Sequence, residues 1–180
     1  MIADRAHYVL DIETLGIRDN AIIAAIGIVR MKDGARDGRF YTVIDTRQEG
    51  RWADDETLEW WSNPDRCAAR HELIGDDHPA LFDALFGAAA FLNTGDDKET
   101  APIWGNGSDF DNRILAHAFR QHGLRWPYWR NSCLRTLRNI VGGERYQPKI
   151  ERIKHIAIND AMTEAEELMY LLSRVTVKET

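Results

Sequence analysis

The sequence predicts a mixed α/β (α+β) domain in which helices cover a sheet. Two observations carry that prediction. Apolar, β-prone runs joined by short turns fill the first 45 residues. Beyond them apolar residues recur at helical spacing, with one further short strand between helices. A length of 180 residues, 44% hydrophobic and 29% charged, fits a single domain spanning 1–180 with a core of ordinary size.

Tyr8-Val9-Leu10 begins the first strand, which runs on through Asp11-Ile12-Glu13-Thr14-Leu15. Gly16 to Asn20 reads as a turn, and Ala21 to Met31 as a second strand rich in Ile and Ala. Residues 32–38 form a polar loop with two glycines, and Phe40 to Asp45 alternates into a third strand. These strands predict an antiparallel meander with strand one at or beside its centre. Asp54 to Trp61 opens as a helix with acidic capping residues and stops at Asn63-Pro64. Helices follow over Pro64–Leu73 and Pro79–Leu92, the latter with Leu81, Leu85, Ala88, Ala89 and Leu92 on one face. Asn93 to Ala101 is a polar loop. A short strand, Pro102 to Gly105, runs into the turn Asn106-Gly107-Ser108. The next helix spans about Asp109 to His122, with Gly123 as its stop. Further helices are expected over Leu134–Val141 and Ile158–Val175, the last with Ile158, Ala161, Ala165, Leu168 and Leu172 in one stripe.

Composition narrows the function. No apolar run approaches the ~20 residues of a membrane span, and Met1 to Arg5 lacks a signal peptide's apolar core. A cytoplasmic protein is expected. Cys67 and Cys133 have no metal-type spacing and read as reduced thiols. Net charge is −6, yet residues 112–154 hold ten basic residues against two acidic ones, a segment of +8 beside a remainder of −14. That segment is either a phosphate-facing surface or the solvated face of ordinary helices.

Asp11 and Glu13 sit at i and i+2 on a strand, so their carboxylates share one face about 6–7 Å apart. Two such acids at the end of a buried strand repel each other and lose hydration, and a divalent cation is the simplest compensation. An acidic, solvated turn is the plainer alternative. Two later motifs weigh against it: Trp104-Gly105-Asn106-Gly107-Ser108-Asp109-Phe110-Asp111-Asn112, and His155-x-x-x-x-Asp160. Taken singly, Asp111 and Asp160 are acids of a first helical turn and His155 is a surface histidine beside Lys154. The series of three motifs is what carries weight.

In order and spacing these motifs resemble the DEDDh 3′–5′ exonucleases, which share the ribonuclease H-like fold, a mixed central sheet flanked by helices. Asp11-x-Glu13-Thr14 matches the family's first motif, Asn106-x-x-x-Phe110-Asp111 its second, and His155-x-x-x-x-Asp160 its third. Ile156 stands where a tyrosine would mark the sister branch. Thr57-Leu58-Glu59-Trp60-Trp61, Ala68-Ala69-Arg70 and Leu134-Arg135-Thr136-Leu137 further resemble the small group that includes RNase AS and the exonuclease VIII-like prophage enzymes. The resemblance implies Asp11, Glu13, Asp111 and Asp160 as metal ligands and His155 as general base. It implies substrate contacts at Thr14, Leu15, Trp61, Asn106 and Phe110. Asp109 departs from the pattern, which has a small residue there, and adds a fifth carboxylate.

Four carboxylates carry about −4, which two divalent ions neutralise, roughly 3.5–4 Å apart in two-metal sites. Oxygen ligands and phosphate substrates favour Mg²⁺, with Mn²⁺ a substitute. His155 has the pKa range to accept a proton from water at neutral pH. The expected partner is single-stranded RNA or DNA with a free 3′ end, hydrolysed to 5′-mononucleotides, and the alternatives are an inactive nucleic-acid-binding protein and an endonuclease of the same fold. Of the adjacent Trp60 and Trp61 only one can sit centrally on a core face, the other being a rim residue or a platform for a base. Trp126, Tyr128 and Trp129 form a patch for packing or for a homodimer contact.

Overall fold

The computed structural model describes residues 4–75, 77–94 and 98–175. Strand β1 (His7–Thr14) lies at the centre of a five-stranded sheet of order β3-β2-β1-β4-β5. On one side it pairs antiparallel with β2 (Ile23–Lys32), which pairs antiparallel with β3 (Ala35–Val43). On the other side β4 (Ile103–Gly105) and β5 (Asn131–Cys133) run parallel to it. The helices are α1 (Asp55–Ser62), α2 (Cys67–Glu72), α3 (Leu81–Leu92), α4 (Asp111–Gln121), α5 (Leu134–Val141) and α6 (Ala157–Ser173). Among the described residues no helix is long and apolar enough to cross a membrane, and Cys67 and Cys133 are free thiols.

Alternation along β1 divides the core in two. Tyr8, Leu10 and Ile12 face a cluster built with α3 and α4, including Leu85, Ile114 and Phe119. Val9 faces the opposite cluster, where α6 supplies Ala161, Ala165 and Leu168, and α1 supplies Trp61. Asp11 and Glu13 share the parity of Val9, so the pleat aims both carboxylates at the α6 side. Helix α6 comes close because Gly27, the β2 residue opposite Asp11, has no side chain. A Cβ there would lie 2.4 Å from the carbonyl carbon of Ala157.

Several boundaries differ from expectation. The polar loop over 32–38 shrinks to a two-residue turn, because Asp33 (φ 52°) and Gly34 (φ 73°) both take the left-handed conformation that suits a tight hairpin. Lys32 ends β2, and residues 35–38 join β3, an edge strand whose exposure explains its polar sequence. Asp54 does not cap α1 with its side chain. Its Oδ2 accepts from the Ile17 backbone N–H at 2.8 Å and holds the turn after β1. Helix α4 begins at Asp111, two residues late, because residues 107–110 form a turn closed by Phe110 N–H to the Gly107 carbonyl at 2.8 Å. Strand β5 was not expected, and three residues are too few to show an alternation. The polar loop expected over 93–101 falls partly on residues 95–97, outside the described residues.

Candidate functional site

Carboxylates from three elements converge at the C-terminal end of β1. Asp11 is half-buried and Glu13 is buried. Asp111, at the first position of α4, is 4% exposed. Its placement follows from the residues before it. Gly105 ends β4 directly under the helix start, where a Cβ would lie 2.4 Å from Asn112 Oδ1 and 3.1 Å from Asp111 Oδ2. Asn112 then ties the helix to the sheet, its Nδ2 donating to the Ile103 carbonyl and to Asn131 Oδ1, each at 3.1 Å. From the opposite side α6 presents Asp160 and, one turn later, Glu164.

Burial raises the proton affinity of every member, and neighbouring acids add to it at Asp11, Glu13 and Glu164. Glu13 is pushed up to about 8, by burial first and then by Asp160 and Asp111. Asp111 is pushed up to about 7 by burial, against backbone N–H groups of Ile12, Gly107 and its own residue and the charge of Arg135. Asp11 rises well above the ordinary carboxylate range through burial, then through Glu164, Asp111, Glu13 and Asp160. Burial raises Asp160 too, opposed by the His155 backbone. Glu164 rises through burial and the charges of Asp111, Asp160 and Glu167. So many acids buried together form a site built for positive charge.

His155 stands just before α6 with φ 62°, a conformation uncommon outside glycine. Two contacts hold it there. Its N–H donates to Asp160 Oδ2 at 2.7 Å, and its ring meets Trp60 edge to face at 4.8 Å. Burial lowers its pKa, Asp160 opposes this, and Arg66 and Lys154 add to it. One ligand atom each from Glu13, His155 and Asp160 lie within 4.8 Å of one another. The carboxylates of this group suit a divalent cation bound through oxygen, and the imidazole stands beside them.

These groups open into a cleft of about 820 Å³. Asp11, Glu13, Asp111, His155 and Asp160 line it, with Thr14, Trp61 and Phe110 from the expected substrate contacts. The cleft does not include Leu15 or Asn106. Leu15 packs against the apolar cluster under α6, and the Asn106 amide oxygen accepts from Arg138 at 3.3 Å. Phe110 is only half-buried, against the core beneath α4. Asp109 is exposed and outside the cleft, its carbonyl accepting from Arg113 at 2.6 Å.

The open alternatives resolve by packing. Trp61 is the core residue, its Nε1 donating to the Thr14 carbonyl at 2.9 Å. Trp60 is 38% exposed at the cleft rim, with the Arg66 guanidinium 3.7 Å over its ring. Trp126 is buried against Phe119, whereas Tyr128 and Trp129 are exposed. The basic segment is no single phosphate face: Arg130 is buried, Arg138 pairs with Glu167, Arg152 with Glu166 and Arg113 with Asp19. Sequence reasoning missed Glu164, although its place four residues after Asp160 puts both on one helical face.

The chain is similar in structure to E. coli exonuclease I in a zinc-bound complex with single-stranded DNA, at 13% identity and a TM-score of 0.69 over 95% of this chain and 41% of that one. It is similar to E. coli exonuclease I bound to a dT13 oligonucleotide, at 12% identity and a TM-score of 0.66 over 94% and 41%. Cell-death related nuclease 4 (CRN-4) matches at 13% identity and a TM-score of 0.63 over 95% and 64%. The chain thus spans about two fifths of the exonuclease I chains, and these likenesses show the fold, which is ribonuclease H-like. No curated protein matches the sequence. A model of the 3′-5′ exoribonuclease Rv2179c-like domain matches residues 6–172, nearly the whole chain, and the protein belongs to that family.

Proposed function

We propose that the chain is a single exonuclease domain that removes 5′-mononucleotides from the 3′ end of single-stranded nucleic acid with the help of two divalent cations. The observation that supports this most is the meeting of Asp11, Glu13, Asp111, Asp160 and His155 in one cleft, from elements far apart in sequence. RNA is the first substrate to test, since the matched family is described as exoribonuclease. DNA is the comparison, since exonuclease I binds it in single-stranded form.

Asp11, Glu13, Asp111 and Asp160 would hold the cations, Mg²⁺ by preference and Mn²⁺ as a substitute. Bound there, such ions activate the attacking water and stabilise the leaving oxygen. The protein's own groups do the rest. Burial keeps His155 neutral at physiological pH, ready to take the water's proton. The Asp160 carboxylate fixes its backbone, and Trp60 limits where its ring can turn. Trp60 also offers an exposed ring at the cleft rim on which a base can stack. A cytoplasmic location and a homodimer belong to the same proposal, the dimer resting on the exposed Tyr128 and Trp129.

The test is digestion of matched RNA and DNA oligonucleotides labelled at the 5′ end, with Mg²⁺ or with EDTA, beside a circular single strand. Ladders shortened from the 3′ end in Mg²⁺ alone, with the circle intact, are expected. Intact linear strands would favour a binding protein that has lost catalysis, and a cut circle an endonuclease.

A further inference from the structure

We propose that Glu164 is a fifth cation-holding carboxylate, facing Asp11 as Asp160 faces Glu13. The inference rests on the cation-dependent reading above and adds a residue outside the three motifs that support it. Two periods match here. Residues i and i+2 of a strand lie about 6.6–6.8 Å apart, and residues i and i+4 of a helix rise by about 6 Å. Glu13 and Asp11 on β1 are therefore spaced much as Asp160 and Glu164 are on α6, the helix packed on that strand. The charges agree with that pairing. Among neighbouring acids Asp160 acts most strongly on Glu13, and Glu164 most strongly on Asp11. Asp111 acts on both β1 carboxylates.

Glu164 is only 8% exposed, and its Oε2 has no hydrogen-bond partner among the described residues. Such an atom is costly unless something occupies it. Arg138, the cation that acts on Glu164, is held by Glu167 through two hydrogen bonds of 2.6 and 2.7 Å. A divalent cation, met directly or through its water, answers that free oxygen. Residues placed this way around a metal typically change its affinity 10–100-fold when replaced.

The experiment titrates Mn²⁺ into the full chain by calorimetry and follows melting without and with the ion. It compares wild type with Glu164→Gln, which keeps the shape and removes the charge, and with Glu13→Gln. Glu164→Gln is expected to melt no lower than wild type without cation and to bind Mn²⁺ about 10–100-fold more weakly. Wild-type Mn²⁺ affinity in that variant would return Glu164 to the role of a buried neutral acid. Glu164→Ala gives the same reading if the Gln variant does not fold. The two readings stay separable. No Mn²⁺ uptake by wild type overturns the cation reading of the whole site. Loss in Glu13→Gln with none in Glu164→Gln overturns only the part given to Glu164.

Discussion

At the scale of single residues the site depends on side chains kept in costly states. His155 keeps a left-handed backbone because its N–H has the Asp160 carboxylate as partner and its ring has Trp60. Strain of this kind persists where surrounding contacts over-determine it. If His155 takes the proton from the attacking water, His155→Ala loses roughly 10²–10⁴-fold in the rate of mononucleotide release. Mn²⁺ affinity falls much less, since the carboxylates remain. A pKa below the ordinary 6.5 places the wild-type rise in rate with pH below that value, and the variant lacks the step. A rate near wild type in His155→Ala would remove the general base from the mechanism.

At the scale of elements the decisive contact is α6 on the sheet. Gly27 lets the Ala157–Ile158 backbone sit where any Cβ would be, and that seat carries His155, Asp160 and Glu164 to β1. In Gly27→Ala the new methyl meets backbone, which has no rotamer to yield. Overpacking of this kind costs about 1–3 kcal/mol. Thermal melting is expected to fall by several degrees, and both Mn²⁺ binding and nuclease rate to fall with it. Gly34→Ala is the control. Its φ of +73° brings strain, but nothing lies within 4 Å of the added Cβ. That variant is expected to lose stability and keep its rate. Equal rates in the two variants would show that the seat of α6 does not set the site.

At the scale of the whole molecule the acidic cluster sets how stability varies with pH. Glu13 is held up at about 8 and Asp111 at about 7, against ordinary values of 4.5 and 3.8. Between those limits the folded chain binds protons that the unfolded chain has released. Cation-free stability therefore falls as pH rises from about 4 to 8. His117 and His155, both lowered from 6.5, act in the opposite sense but over the smaller interval below that value. At about 1.4 kcal/mol per pKa unit these two shifts amount to several kcal/mol. Each kcal/mol lost corresponds to about 2–4 °C in a domain of this size, so the fall is on the order of 10 °C. Melting followed without cation from pH 5 to 8 should show a drop of that order, and Mg²⁺ should flatten it. A flat or rising cation-free profile would mean that the carboxylates do not share one buried site.

The antiparallel meander of the first three strands and the stripe on α6 were legible in the sequence because they follow from local periods, two for strands and 3.6 for helices. The mixed sheet was implied only by the resemblance that the motifs carry. The order and spacing of Asp11, Glu13, Asp111, His155 and Asp160 were legible too, and all five line one cleft. Tertiary structure alone decided what depends on the far side of a contact. Pairing made the polar 35–38 stretch a strand and three residues at 131–133 another. Packing sent Trp61 inward and left Trp60 at the rim. Acids outside the basic segment drew Arg113, Arg138 and Arg152 into ion pairs. Glu164 shows the division most clearly. Its helical period was readable, but its burial and free oxygen arise only where α6 meets β1, and no period within one segment encodes that meeting.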